Sequence, residues 1–398
     1  MTLKKKIEKE IENIDDRIVE IRHTIHHNPE LSGEEKETNL LLRSIFDVEG
    51  IPYKTFPTHY GLVADIIKDP SLPTVAIRGD MDALPMPEQS QKPYASSKKG
   101  IMHACGHDAH TAIALGVALV LNRLKEELPG NVRILFQPAE EVLEGGSDQL
   151  IADGALDGVS AIFGLHVYPY LNTGEIGYKY GVMMASADIF SFDIYGKTAH
   201  GARPHEGIDA ILVASIAITS LNHIVSRRID PLHPAVISMG KIEGGNAPNI
   251  ISDFVNVSGT VRTVNAEVRD KIPQMMEETI KGVCHTMDAK YHFHYKFGPP
   301  ELVNDDAMVD IVKSVGRYVV GEKGLVDLKD PVMGGEDFSR YLKIVPGAFF
   351  RLGICNPEKG TCVSQHNTRF DVDDDALEIG MKILALCAIE AIEKEKNA

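Results

Sequence analysis

His103-Ala-Cys-Gly-His-Asp-Ala-His110 crowds more metal-ligating side chains into one small-residue segment than any other stretch of this chain. Cys105 and His107 flank Gly106, so a tight backbone there can aim a thiolate and an imidazole at a common point. Downstream, Ala112, Leu115, Ala118, Leu119 and Leu124 share roughly one face, which predicts a helix over 111–121 that begins just after the ligands. The stretch therefore reads as a loop entering a helix N-terminus, with half of a metal site on it. The alternative is a small buried thiol flanked by surface or capping histidines, because two ligands do not close a metal shell.

Working outward, the other half is sought at strand ends. Runs 62–67 and 74–78 read as a strand pair or as two neighbouring strands. Arg78-Gly-Asp-Met-Asp-Ala-Leu-Pro85 then puts Asp80 and Asp82 just past a strand end, where open α/β sheets collect their ligands. An Asp- and Gly-rich turn is the plainer reading of the same residues. Val132-Arg-Ile-Leu-Phe136 runs into Gln137-Pro-Ala-Glu-Glu141, whose adjacent carboxylates repel unless a dication neutralises them. Ala161-Ile-Phe-Gly-Leu-His166 reads as a third strand ending at His166. Asp, Glu and His thus stand at three strand ends in succession.

The flanks are more ordinary. Ile7, Ile11, Ile14, Ile18, Ile21 and Ile25 define an amphipathic first helix, and His23, His26 and His27 near its end are read as serving its dipole and free carbonyls. Ser32, with Glu34 and Glu35 after it, reads as the start of a second helix reaching about Val48. From Ala187 the pattern changes to strand 189–195, helix 207–227, strands 235–242 and 255–263, helix 266–287 and strand 290–297. That βαββαβ order is ferredoxin-like, and it reads as a domain over 187–298 inserted into a first domain made of 1–186 and 299–398. Cys355 and Cys362 are spaced so as to bridge or bind metal, but with no histidine or carboxylate at ligand spacing they are read as incidental.

Composition bounds the function. The chain's 398 residues can build two cores, and 43% hydrophobic with 25% charged residues is ordinary globular content. A formal net charge of -16 repels nucleic acid and anionic membranes, which leaves a small-molecule substrate. The five cysteines are odd in number and scattered, which argues against a disulfide framework and for a reducing compartment. The charged N-terminal segment lacks a signal-peptide core, and no run reads as long enough to span a bilayer, so a cytoplasmic location is expected.

Arg78-Gly-Asp-Met-Asp-Ala-Leu-Pro, His103-Ala-Cys-Gly-His-Asp-Ala-His, Gln137-Pro-Ala-Glu-Glu, Gly164-Leu-His, Gly196-Lys-Thr-Ala-His-Gly, Met333-Gly-Gly-Glu-Asp-Phe and His366-Asn occur in this order. Together they resemble the N-acyl-amino-acid amidohydrolases, the group of hippurate hydrolases, auxin-conjugate hydrolases and N-acetyl-amino-acid deacetylases within the dinuclear aminoacylase and carboxypeptidase G metallopeptidases. The resemblance implies an α/β metallopeptidase-type catalytic domain, its mixed central sheet flanked by helices, with the inserted module as a lid and dimerisation domain. It implies two divalent metal ions per subunit (Zn, Mn, Co or Ni) on Cys105, His107, Glu141, His166 and His366, with Cys105 where the wider superfamily has a bridging aspartate. Asp80 stands where that superfamily has a histidine ligand, so a metal role does not carry over to it. By the same resemblance Glu140 is the general base, Asp82 the carboxylate that orients the site, and His200 a histidine that reaches the partner's active site in dimeric relatives. Asn249, Arg262 and Gly335 fall to the substrate, a small N-acyl amino acid. A homodimer or homotetramer is expected, with no nucleic-acid or membrane partner. A dipeptidase or carboxypeptidase of the same architecture, and a non-catalytic binding protein with a vestigial site, are the alternatives.

Overall fold

Four runs of almost wholly buried residues, Asn131–Gln137, Thr74–Asp80, Val159–Asn172 and Gly347–Cys355, lie side by side as parallel strands in a computed structural model that describes residues 1–396. Burial on both faces is why they read as continuous apolar runs rather than alternating ones. Leu62–Ile66 and Tyr53–Thr55 extend the sheet antiparallel on one side, and Ile176–Tyr178 and Leu325–Asp327 complete eight strands on the other. Leu62–Ile66 and Thr74–Asp80 are not neighbours as the sequence suggests, because Asn131–Gln137 lies between them and pairs with both.

The helices Leu3–His27, His107–Arg123 and Asp375–Lys396 pack on one another, and the second and third also pack on this sheet. The isoleucine stripe of the first is buried as its spacing predicts. His107–Arg123 is buried along most of its length, and Gly79 lets it approach the sheet: a Cβ there would lie 2.7 Å from the His110 carbonyl oxygen. The second helix is Lys36–Glu49, and Ser32 does not start it.

Among the described residues, 1–181, 303–329 and 340–396 make up this first compact unit, and 182–302 with 330–339 make up a second. In the second, Ala235–Gly244, Phe254–Thr263, Asp188–Tyr195 and Lys290–Lys296 form an antiparallel sheet in that order. Helices Ala210–His223 and Ala266–Thr286 cover one of its faces, giving the βαββαβ arrangement. The segment 330–339, which carries the Met333-Gly-Gly-Glu-Asp-Phe motif, packs with this unit rather than with the chain that follows it.

Two sequence readings need correction here. Cys355 and Cys362 are joined in a disulfide with their Cα atoms 4.3 Å apart, while Cys105, Cys284 and Cys387 are free and buried. The bridge removes the argument from unpaired cysteines for a reducing compartment. Among the described residues one helical stretch, Ala210–Arg228, is long and apolar enough to cross a membrane, although no such run was expected. Its inner face, including Val213, Ala214, Ala217 and Leu221, is buried in the core of the second unit.

Candidate metal centre

The ligand loop is shaped by Gly106, which sits at φ 97 as the residue capping the helix His107–Arg123. A Cβ there would come within 2.3 Å of the Val167 side chain, so both the conformation and the space demand glycine. The helix starts at His107 itself rather than after the ligands, which fixes that imidazole on a regular element. The His107 ring leans on Asp82: Nδ1 is 3.1 Å from Asp82 Oδ1, which leaves Nε2 facing inward. That Nε2 is buried and has no hydrogen-bond partner.

His166 is not the last residue of its strand, which continues to Asn172. It pairs with Arg351 on one side, whereas the register with Thr74–Asp80 on the other stops at Arg78 opposite Gly164. His166 is thus presented at its neighbour's end instead of its own. Its Nδ1 lies 2.8 Å from the Val167 carbonyl, so Nε2 is the atom turned to the site, 3.3 Å from Cys105 Sγ. Burial, with His110 and Arg351 nearby, holds its pKa well below the usual imidazole range, so it stays neutral.

Cys105, His107 and His166 form one group whose donor atoms lie within 4.8 Å of one another, and Cys105, Glu141 and His366 form another. The sulfur belongs to both. A third group joins His107 to Glu140 and Glu141. Burial, and the Glu141 carboxylate with it, push the Cys105 thiol well above its ordinary pKa, so a dication is what would hold it as thiolate. Glu141 Oε1 is buried without a well-aligned donor, although His366 Nε2 is 3.3 Å from it. Orphaned nitrogen and oxygen atoms facing a shared thiol are a donor set that fits divalent ions.

Around these donors the supports are explicit. Asp82 Oδ2 accepts the Glu141 N–H at 3.0 Å and the Ser32 hydroxyl at 2.6 Å. Burial opposes its charge, but His107 and the hydrogen bonds from Ser32 and Glu141 together outweigh that and keep the carboxyl below its usual range. Asp80 is already engaged: it is ion-paired with Arg78 and sits 2.6 Å from His110 Nδ1. His110 Nε2 in turn accepts the Val167 N–H at 2.9 Å. His366, at φ 57, donates its backbone N–H to the Ala104 carbonyl at 2.8 Å, tying the last donor to the ligand loop. The first helix contributes Arg22, which is fully buried and bonded to Asp108, Asp371 and Asp374. His26 is bound to Asp108 at 2.8 Å and does no carbonyl capping. Gln365, which donates to the Val167 carbonyl at 3.1 Å, was not singled out in the sequence, and only its place beside His366 could have flagged it.

The second unit keeps its candidates in two places. His200 lies on a two-residue strand paired with Ile250–Ile251, and its neighbour Gly201 donates to the Asn249 carbonyl at 2.8 Å. Arg262 stands near the other end of Phe254–Thr263, where Nη1 donates to the Met333 carbonyl at 2.9 Å, close to Gly335. Arg262 lies eight residues, about 27 Å of extended strand, beyond the strand's start at Phe254, and Asn249 precedes that start by five residues.

Comparison with known proteins bears on these residues as a set. The chain is 39% identical over 369 residues to N-acetyl-L-cysteine deacetylase of Bacillus subtilis, an alignment covering 92% of this chain and 86% of that protein. It is 36% identical over 405 residues to thermostable carboxypeptidase 2 of Saccharolobus solfataricus, covering 99% and 100%. The crystal structure of the Bacillus subtilis YXEP protein, described as a dinuclear metal binding peptidase, superposes with a TM-score of 0.81 at 34% identity over 96% of this chain and 99% of that one. The model of peptidase family M20/M25/M40 matches residues 76–390, and the chain belongs to that family of hydrolases, as its motifs implied.

Proposed function

We propose that this chain is a metal-dependent amidohydrolase that cleaves the amide bond of N-acyl L-amino acids, releasing a carboxylic acid and a free amino acid. The observation that carries the reading is the Cys105 sulfur common to two donor groups, one closed by His107 and His166 and the other by Glu141 and His366. Each group would hold one divalent ion. Such ions, when bound, acidify a water to a pKa of roughly 7 and polarise the scissile carbonyl. Glu140, next to a ligand, takes the water's proton and passes it to the leaving amine. Asp82 holds His107 in the tautomer that offers Nε2, and its grip on the Glu141 N–H sets that carboxylate's direction. Arg262 presents a planar fork to the free carboxylate of the amino acid, beside the backbone of Gly335.

His200 supplies a hydrogen bond to the developing oxyanion of a partner subunit's reaction, and Asn249 acts beside it. The support is the family resemblance, in which the histidine matching His200 reaches the partner's active site in dimeric relatives. A homodimer or a dimer of dimers follows. Cytoplasmic action suits a small soluble substrate.

The test is to strip the protein with a chelator, restore Zn, Mn, Co or Ni singly, and assay N-acetyl and aromatic-acyl amino acids, their amides, and dipeptides. Turnover of free acids over amides, with the preference lost in Arg262→Ala, is expected. No metal-dependent turnover of any N-acyl amino acid would sink the reading. Faster cleavage of dipeptides would favour a carboxypeptidase, as the Saccharolobus relative's name suggests.

A further inference from the structure

The turn that carries Glu140 and Glu141 begins in an unusual conformation. Ala139 has φ 52, and among the described residues only Asp288 and His366 share a positive φ without being glycine. A left-handed alanine brings its Cβ too close to the backbone, so something must hold it there. Its carbonyl accepts the Gly146 N–H at 3.1 Å, and its own N–H donates to Glu35 Oε1 at 2.7 Å, across 104 positions of sequence.

Glu35 is an odd residue to find there. It occupies the cap position of Lys36–Glu49, yet its side chain makes no bond to that helix. Glu30 does the capping instead, accepting the Glu37 and Thr38 N–H groups at 3.0 and 2.9 Å. The Glu35 carboxyl is fully buried, with Oε1 shared between Ala139 and Gly33 at 2.7 and 2.9 Å and Oε2 without a partner. Burial, and Asp82 close by, raise its pKa to about 7. A buried, half-satisfied acid costs stability that an apolar side chain would not. The same loop also sends the Ser32 hydroxyl to Asp82, which grips Glu141.

We propose that Glu35 is a positioning residue of the reaction: by accepting the Ala139 N–H it holds that residue left-handed and so fixes the directions in which Glu140 and Glu141 leave the turn. It acts only through the backbone of residue 139. The inference rests on the roles given above to the two glutamates.

Glu35→Ala is expected to lower kcat by about 10- to 100-fold with KM within about twofold, and to weaken binding of one of two metal ions by a similar factor in titration calorimetry. Amide exchange in a peptide covering 138–146, followed by mass spectrometry, should quicken. Glu35→Gln, which keeps an acceptor oxygen in place, should recover most of each loss, whereas Glu35→Asp, one methylene short, should not. A fall in Tm alone, with kcat, metal affinity and exchange unchanged, overturns the proposal. If Glu35→Ala does not fold, the other two variants decide: Gln better than Asp in metal affinity and exchange supports it, and Gln no better than Asp overturns it. Failure of the functional reading is distinguishable, because it shows as absent metal-dependent hydrolysis in the wild type, while the exchange measurement stands without any turnover.

Discussion

Glu140 and Glu141 are adjacent in sequence and opposite in expected consequence. Glu140→Gln should keep bound metal and lose about 100- to 10,000-fold in kcat, as removal of a general base does. Glu141→Gln should lose metal, since its carboxylate closes the group with Cys105 and His366. Elemental analysis of the two proteins, showing the reverse, would end the assignment. Cys105 offers an independent check on the same centre. Because burial keeps its metal-free thiol protonated, the check is metal content: Cys105→Ala should lose bound metal, since both donor groups share the sulfur. Full retention of two ions would mark it as a buried thiol of no chemical role. At this scale residue type and position pointed to Cys105, His107, His166 and the Glu140–Glu141 pair, while the choice of Glu141 and the addition of His366 came only from the family resemblance; the fold brings the five side chains together. Ser32 and Glu35 were not legible. As a serine followed by acids they imitate a helix start, and only the approach of Asp82, 50 positions on, and of Ala139, 104 positions on, shows where their side chains go.

The helix Leu3–His27 was read correctly as an element and incompletely as a partner. Its isoleucines announce a buried face, but nothing local announces that Arg22 and His26 cross to Asp108 at the start of another helix. That junction has a pH signature. Burial works against a charged His26, the Asp108 carboxylate outweighs it, and the folded pKa rises to about 9 from an ordinary 6.5. A raised pKa means the contribution to stability is complete below about pH 6.5 and disappears as pH climbs through 9. The gap in Tm between wild type and His26→Gln should therefore be widest at pH 6 and shrink steadily toward pH 9.5, as read by thermal unfolding across that range. A gap independent of pH would mean that His26 is neutral in the native protein. The strand ends were also half legible. Asp80 closes its strand instead of lying just past it, and His166 lies mid-strand, because where a donor emerges depends on where the neighbouring strand stops, and a strand's own residues do not record that.

For the whole molecule, the expected assembly is testable through His200. An inactive His200→Ala protein mixed with an inactive Glu140→Gln protein, under conditions that exchange subunits, should regain a substantial fraction of wild-type activity, since half of the sites in a mixed dimer would be intact. Mixed oligomers that form and stay inactive would place His200 outside the reaction. The order in which the chain is laid down has its own consequence. The strand Gly347–Cys355 sits inside the large sheet, between Val159–Asn172 and Ile176–Tyr178, and His366 follows it, yet the second unit's 182–302 comes before both. A growing chain must finish that interruption before the sheet can close, leaving its first half waiting on the ribosome with an open seam beside His166. Four donors have then been made, but the group that needs His366 cannot exist. Filling of the position closed by His366 must therefore wait for the last part of the chain, whereas the group of Cys105, His107 and His166 needs nothing beyond residue 166.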